Sequence, residues 1–147
     1  MQNPTSMLKR YAPQQLLLFA VLCFVSASWW HFAATQNIVR LKELADLLIT
    51  QFYPESLANK IPYLHLFKEI STRNAKLVAQ WQSVGFCHGV LNSDNISALG
   101  LTIDYGPFGF LDQFEIDHVC NHSDQSGRYA YHRQPQVMHW NMACLAS

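Results

Sequence analysis

Apolar residues recur at three- and four-residue intervals from Asn37 onward: Ile38, Leu41, Leu44, Ala45, Leu48 and Phe52, with Arg40, Lys42, Glu43 and Asp46 mostly on the other face. That spacing predicts a helix packed along one side. Tyr53 to Pro62, "YPESLANKIP", carries two prolines among polar residues and is predicted as a loop. A longer helix then runs from about Pro62 to Val84. Proline suits its first turn, Tyr63, Leu66, Phe67, Ile70, Leu77, Val78 and Trp81 form its apolar stripe, and Gly85 takes the C-terminal capping role. This helix delivers the chain into "FCHGVLNSDN". Beyond it, "ISALGLTIDYG" is predicted as a short hairpin turning at Gly100 and ending at Asp104. Gly106–Phe114 and Asn121–Gln136 are predicted as ordered loops near a site. "VMHWNMACLAS" begins another helical pattern and stops abruptly, as expected of a chain that ends in mid-domain.

The first thirty residues depart from this patterning. Lys9 and Arg10 precede an uncharged run from Leu16 to Val25, with Ser26-Ala27-Ser28 after it, which is the layout of an exported protein's signal peptide. Extended through Trp29, Trp30 and Phe32 to Ala34, the run approaches the length of a membrane span, weakened by His31 and two serines. A buried element of a soluble fold and an aberrant start to the reading frame are the competing readings, and the expectation favours these over export.

Half of the 147 residues are hydrophobic and 14% are charged, a globular profile with length for one domain. Ten basic side chains balance ten acidic ones. The electrostatic footprint of a nucleic-acid binder is therefore missing, and DNA and RNA are excluded as expected partners. The four cysteines, Cys23, Cys87, Cys120 and Cys144, form no CxxC pair and do not look like a secreted disulfide framework. His118, Cys120 and His122 alternate in "HVCNH", but a zinc site needs a fourth ligand and none stands at a recognisable spacing; a polar loop is the favoured reading.

The chemistry concentrates in "HGVLNSDNISALGLTIDYG", residues 88 to 106. A protein-kinase catalytic loop reads His, any residue, Asp, then Asn five places on, followed later by Asp-Phe-Gly. Here His88 is followed at the required distance by Asn95, and Asp104-Tyr105-Gly106 stands for the last element, but Val90 occupies the catalytic aspartate's place. Val90 accepts no proton, so a hydroxyl is not activated there. An Asn carbonyl and an Asp carboxylate are the hard oxygen ligands that Mg²⁺ takes, which makes Asn95 and Asp104 a candidate metal pair. The plain alternative for Asp104 is an aspartate capping a turn, and for Asp94, the nearest carboxylate able to replace the missing base, a solvated loop acid.

Taken together, "HGV.N.DN", "LTIDYGPFGFLD" and "CNHSD..GRY....QP" resemble the selenoprotein O family, protein adenylyltransferases with a pseudokinase fold; "HFAATQN...LKELADLLITQFYP" is similar to the segment before them. The resemblance covers residues 31 to 147, with residues 1 to 30 left as an atypical apolar segment. It implies an α+β, partial protein-kinase-like fold: a mainly helical C-lobe with a short metal-site β-hairpin and no N-lobe. It implies transfer of AMP from ATP, or UMP from UTP, to Ser, Thr or Tyr hydroxyls of protein substrates, with ATP bound in an orientation flipped relative to kinases. Residue by residue, Asp94 matches the family's proton acceptor, Asn95 a magnesium ligand, and Asp104 a magnesium ligand that also faces the nucleotide. Mg²⁺, or Mn²⁺ in its place, and ATP are the implied cofactors. Cys120 sits at a family cysteine for which redox control through a C-terminal partner is implied, while Cys87 and Cys144 read as small core residues.

The resemblance further implies a monomer in the cytoplasm, or in a mitochondrion if the source is eukaryotic, with a membrane reached only through the apolar N-terminus. Ser93 and Ile96 replace a threonine and a methionine common in the family, both mild changes. The glycines, lysine and arginines that clamp the triphosphate in the family have no counterpart before His31. A fragment holding ATP weakly or not at all is therefore expected, and two alternatives stay open: a kinase-like small-molecule phosphotransferase, which Val90 argues against, and a non-enzymatic remnant.

Overall fold

The computed structural model describes residues 35–146. The signal-peptide or membrane reading of Leu16 to Ala34 falls outside them. Among the described residues no helix is long and apolar enough to cross a membrane.

Helix α1 (Ile38–Phe52) starts at Asn37, whose side-chain oxygen accepts the Arg40 N–H at 3.1 Å. This cap satisfies one of the donors that a helix start leaves open. Leu44, Ala45, Leu48 and Ile49 form its buried face, and Arg40–Glu43 and Lys42–Asp46 pair on the exposed one at 2.8 and 2.9 Å. Ile38 stays 69% exposed although it falls on the apolar spacing. It lies in the first turn, ahead of the buried stretch.

A 3₁₀ turn, Pro54–Ala58, occupies part of the predicted loop and leads into α2 (Pro62–Ser83), with proline in its first turn. Helix α2 passes through both hydrophobic clusters. Its Leu66 and Ile70 join Leu44, Leu48, Ile49 and Tyr53 in the first. Its Val78 and Trp81 join Phe86, Leu91, Ile96 and Met138 in the second. Burying one such aliphatic side chain fully is worth roughly 1.5–3 kcal/mol. Gly85, at φ 69°, follows the helix in the left-handed conformation expected of its position.

The sheet has two short strands, β1 (Phe86–Cys87) and β2 (Gly109–Phe110), antiparallel with Phe86 opposite Phe110 and Cys87 opposite Gly109. A 3₁₀ turn, Tyr131–Arg133, then enters α3 (Gln134–Ala146), which packs against α2. The architecture is mixed α and β.

Two expectations are corrected. The hairpin predicted over residues 96 to 103 does not form, because the carbonyls that a partner strand would engage bond elsewhere. Asn74 of α2 donates its Nδ2 to the Ser97 carbonyl at 3.0 Å, and the Tyr53 hydroxyl donates to the Ala98 carbonyl. The metal-site β-hairpin expected with it is replaced by an irregular segment with a turn from Ser97 to Gly100, packed against α2; the strands form at 86–87 and 109–110 instead. The loop predicted to reach Gln136 ends earlier, since Gln134 already opens α3.

Candidate functional site

Strand β1 runs straight into His88, which is 1% exposed. Its ring lies 5.4 Å from that of Trp81 and meets Phe86 edge-on. Nε2 lies 2.8 Å from the Ile103 carbonyl, so that nitrogen carries the hydrogen and donates. Nδ1 is left as acceptor for the Val90 N–H, at a long 3.4 Å. Burial pushes the His88 pKa down, opposed by the Ile103 carbonyl and by Asp104. The neutral ring thus joins the loop after β1 to the segment that ends at Asp104.

Val90 is followed by a turn in which its carbonyl accepts the Asn92 N–H at 2.8 Å and the Asn95 Nδ2 at 2.9 Å. Leu91 and Ile96 are buried on either side. Between them a single 3₁₀ turn, Ser93–Asn95, holds Asp94 out in solvent and Asn95 half-buried. Because Nδ2 of Asn95 is committed to Val90, its Oδ1 faces away from that carbonyl.

Asp104 follows the buried Ile103 and adopts φ 55°, in the left-handed region that Asp and Asn tolerate better than other non-glycine residues. Its carbonyl accepts the Gly106 N–H at 2.8 Å, while its exposed carboxylate makes no hydrogen bond or ion pair among the described residues. An amide oxygen on Asn95 and a free carboxylate on Asp104 are a donor set suited to a hard, oxygen-seeking cation. Among the described residues no group of three His, Cys, Asp or Glu side chains converges as a metal site. "HVCNH" is irregular, not a strand: His118 Nδ1 lies 3.5 Å from a Glu115 carboxylate oxygen, Cys120 points its thiol at the Cys87 carbonyl at 3.4 Å, and His122 is exposed.

Side chains from the last third of the chain also hold the loop. Gln134 bonds the His88 N–H and the Phe86 carbonyl, at 2.8 and 2.9 Å. Asn121 donates to the Gly89 carbonyl at 3.1 Å, Asn141 to the Leu91 carbonyl at 3.0 Å, and the Tyr129 hydroxyl to Asn92 Oδ1. Gly89, at φ 81°, packs so closely that a Cβ there would lie 2.8 Å from Cys120 Sγ. Asp124 steadies the approaching loop: burial disfavours its charge, but the Tyr129 and Arg128 N–H groups and the Ser126 hydroxyl outweigh that and hold its pKa below the usual carboxylate value. None of these partners was assigned a role by sequence reasoning. The "CNHSD..GRY....QP" motif did contain Asn121, Asp124, Tyr129 and Gln134.

The profile of a family described as protein adenylyltransferase SelO matches residues 8–147. The chain belongs to the protein adenylyltransferase SelO family. Proteins named protein nucleotidyltransferase YdiU are similar to it: one from Ralstonia nicotianae is 60% identical over 116 residues, or 79% of this chain and 22% of that protein. Counterparts from Cupriavidus pinatubonensis and Burkholderia pseudomallei are 58% and 60% identical over the same length, again 79% of this chain and 22% of each. The chain spans about a fifth of the length of the curated relatives it matches. The remainder of each SelO-family relative lies outside the match.

Proposed function

We propose that this chain is the metal- and base-bearing part of a cytoplasmic protein adenylyltransferase with a kinase-like C-lobe, moving AMP from ATP to Ser, Thr or Tyr hydroxyls of proteins, and that UTP serves as a second donor. The observation that carries the reading is the path of hydrogen bonds through His88. Asn95 is tied to Val90, Val90 to His88, and His88 to Ile103, the neighbour of Asp104. Asn95 and Asp104 are nine positions apart, yet that path holds their backbones in one frame.

Within that frame Asp94 is the acid in solvent reach of an incoming hydroxyl, and it takes the proton as oxygen attacks the α-phosphorus of ATP. The bond from that phosphorus to the bridging oxygen breaks and pyrophosphate leaves. Asn95 and Asp104 would hold the divalent cation, which when bound would offset negative charge on the transferring and departing oxygens. Removing one such electrostatic partner typically costs on the order of 10²- to 10³-fold in rate. Val90 keeps a second carboxylate away from this site, in line with a reaction other than γ-phosphoryl transfer.

The test replaces the aligned segment of the Ralstonia nicotianae relative with residues 31–147 of this chain and supplies ATP labelled at either the α- or the γ-phosphate. Protein-bound α-label that disappears with Asp104→Ala is expected. Protein-bound γ-label would favour a phosphotransferase. A folded chimera that transfers neither label would leave a non-enzymatic remnant.

A further inference from the structure

Strand β1 has two edges. Gly85 and the strand face β2 on one, where the Leu111 N–H donates to the Gly85 carbonyl at 2.9 Å. Phe86 and His88 direct their backbone groups the other way, as alternate residues of a strand must. At that second edge stands one side chain, Gln134, itself 1% exposed. Its Oε1 accepts the His88 N–H at 2.8 Å and its Nε2 donates to the Phe86 carbonyl at 2.9 Å. One donor and one acceptor straddling Cys87 are what a single residue of a parallel neighbouring strand would present. The amide of Gln134 replaces a strand with one side chain.

That side chain rides on a firm base. Gln134 opens α3 in helical conformation, its backbone N–H donates to the Tyr131 carbonyl, and the Tyr131 hydroxyl donates to the Gln82 carbonyl of α2 at 2.5 Å. Seven positions on, Asn141 of the same helix bonds the Leu91 carbonyl. Helix α3 therefore grips the loop on both sides of His88, and His88 is the residue that ties Ile103, and with it Asp104, to the loop.

We propose that Gln134 is a positioning residue: its amide sets the plane of the His88 peptide, and through His88 the placement of Asn95 relative to Asp104. The proposal rests on the reading of Asn95 and Asp104 as cation ligands. Losing the amide then loosens the loop and weakens cation binding while the first hydrophobic cluster, built on Leu48, Ile49, Leu66 and Ile70, keeps its order.

The experiment uses the chain itself, measuring amide exchange residue by residue and Mn²⁺ binding in the unaltered protein, in Gln134→Met, which has similar length and no amide, and in Gln134→Glu. The Glu variant keeps the acceptor for His88 but sets an oxygen against the Phe86 carbonyl. Gln134→Met is expected to lower the protection factor of the His88 N–H and to weaken Mn²⁺ at least tenfold each, with Leu66 and Ile70 amides unchanged. Gln134→Glu is expected to regain His88 protection as its carboxyl protonates and donates again to Phe86. Unchanged His88 protection in Gln134→Met, equal loss of protection at Leu66 and Ile70, or no recovery in acidified Gln134→Glu would each overturn the proposal. So would Mn²⁺ affinity that survives Gln134→Met. An unaltered chain that binds no Mn²⁺ overturns instead the reading of Asn95 and Asp104 on which it stands.

Discussion

His88 and Ile103 lie fifteen positions apart and are joined by one hydrogen bond, from Nε2 to the carbonyl oxygen at 2.8 Å. Nε2 carries a hydrogen in either protonation state, but the Nδ1 that accepts the Val90 N–H is open only in the neutral ring, and burial favours that form by pushing the pKa down from 6.5. In the unfolded chain His88 titrates normally, so below pH 6.5 the unfolded state binds the extra proton first. His88's contribution to stability is present above that pH and drains away as pH falls toward the depressed folded value, with a slope of at most about 1.4 kcal/mol per pH unit. Denaturant midpoints from pH 7.5 to 5 should show this slope in the unaltered chain and lose that component in His88→Gln. Parallel profiles for the two proteins would refute it.

Asp104 combines an exposed carboxylate with a costly backbone. At φ 55°, glycine is more comfortable than aspartate and alanine less so. Asp104→Gly is expected to match or exceed the unaltered chain in thermal stability, Asp104→Ala to lose about 1 kcal/mol, and both to lose Mn²⁺ binding. Calorimetry of melting and of Mn²⁺ titration checks the two halves separately.

Gly100 turns the chain against α2. A Cβ there would lie 2.6 Å from Arg73 Cβ and 3.0 Å from the Arg73 carbonyl carbon, and φ is 69°. Helix backbone cannot yield as a flexible side chain would, so Gly100→Ala should destabilise by about 2 kcal/mol or more. A chemical denaturation midpoint indistinguishable from the unaltered chain would show that the 96–103 segment does not sit on the helix in this way.

Cys120 is held as a thiol. Burial first, then the neighbouring Cys87 thiol, raise its pKa from 9.0 to about 12. Iodoacetamide attacks thiolates, so Cys120 should react many times more slowly than free cysteine between pH 8 and 9, and its rate should keep climbing beyond pH 9. Peptide mapping of the alkylated chain reads this directly. The charge asymmetry also means that any stability supplied by the protonated thiol is complete below pH 9 and is lost as pH rises above it.

Asn74 shows how one buried amide substitutes for sheet pairing. Its Nδ2 bonds the Ile70 and Ser97 carbonyls at 3.0 Å each, without exposure to water. Asn74→Leu should cost about 1 kcal/mol by removing one of the two bonds to the Ser97 carbonyl, which keeps the Gly100 N–H at 3.1 Å, measured by urea unfolding. Faster exchange of the neighbouring Leu99 amide, whose partner is Ser97 Oγ at 3.1 Å, is the local signature.

Local chemistry made much of this protein legible in one dimension. The apolar spacing of α1 and α2, Pro62 inside the start and Gly85 past the end depend on neighbours three or four positions away, and these elements stand where expected. The order His88, Asp94, Asn95, Asp104 marked the candidate site for the same reason, since short spacings carry the motif. Tertiary structure alone decided what residues 96 to 103 become and what Gln134 does. A β-like segment takes whichever hydrogen-bond partners packing brings to it, and here they come from Asn74, 23 positions away, and Tyr53, 45 positions away. Gln134 looks like any polar loop residue until α3 folds back to set its amide on a strand edge 48 positions earlier, where a buried backbone donor and acceptor have no water to turn to.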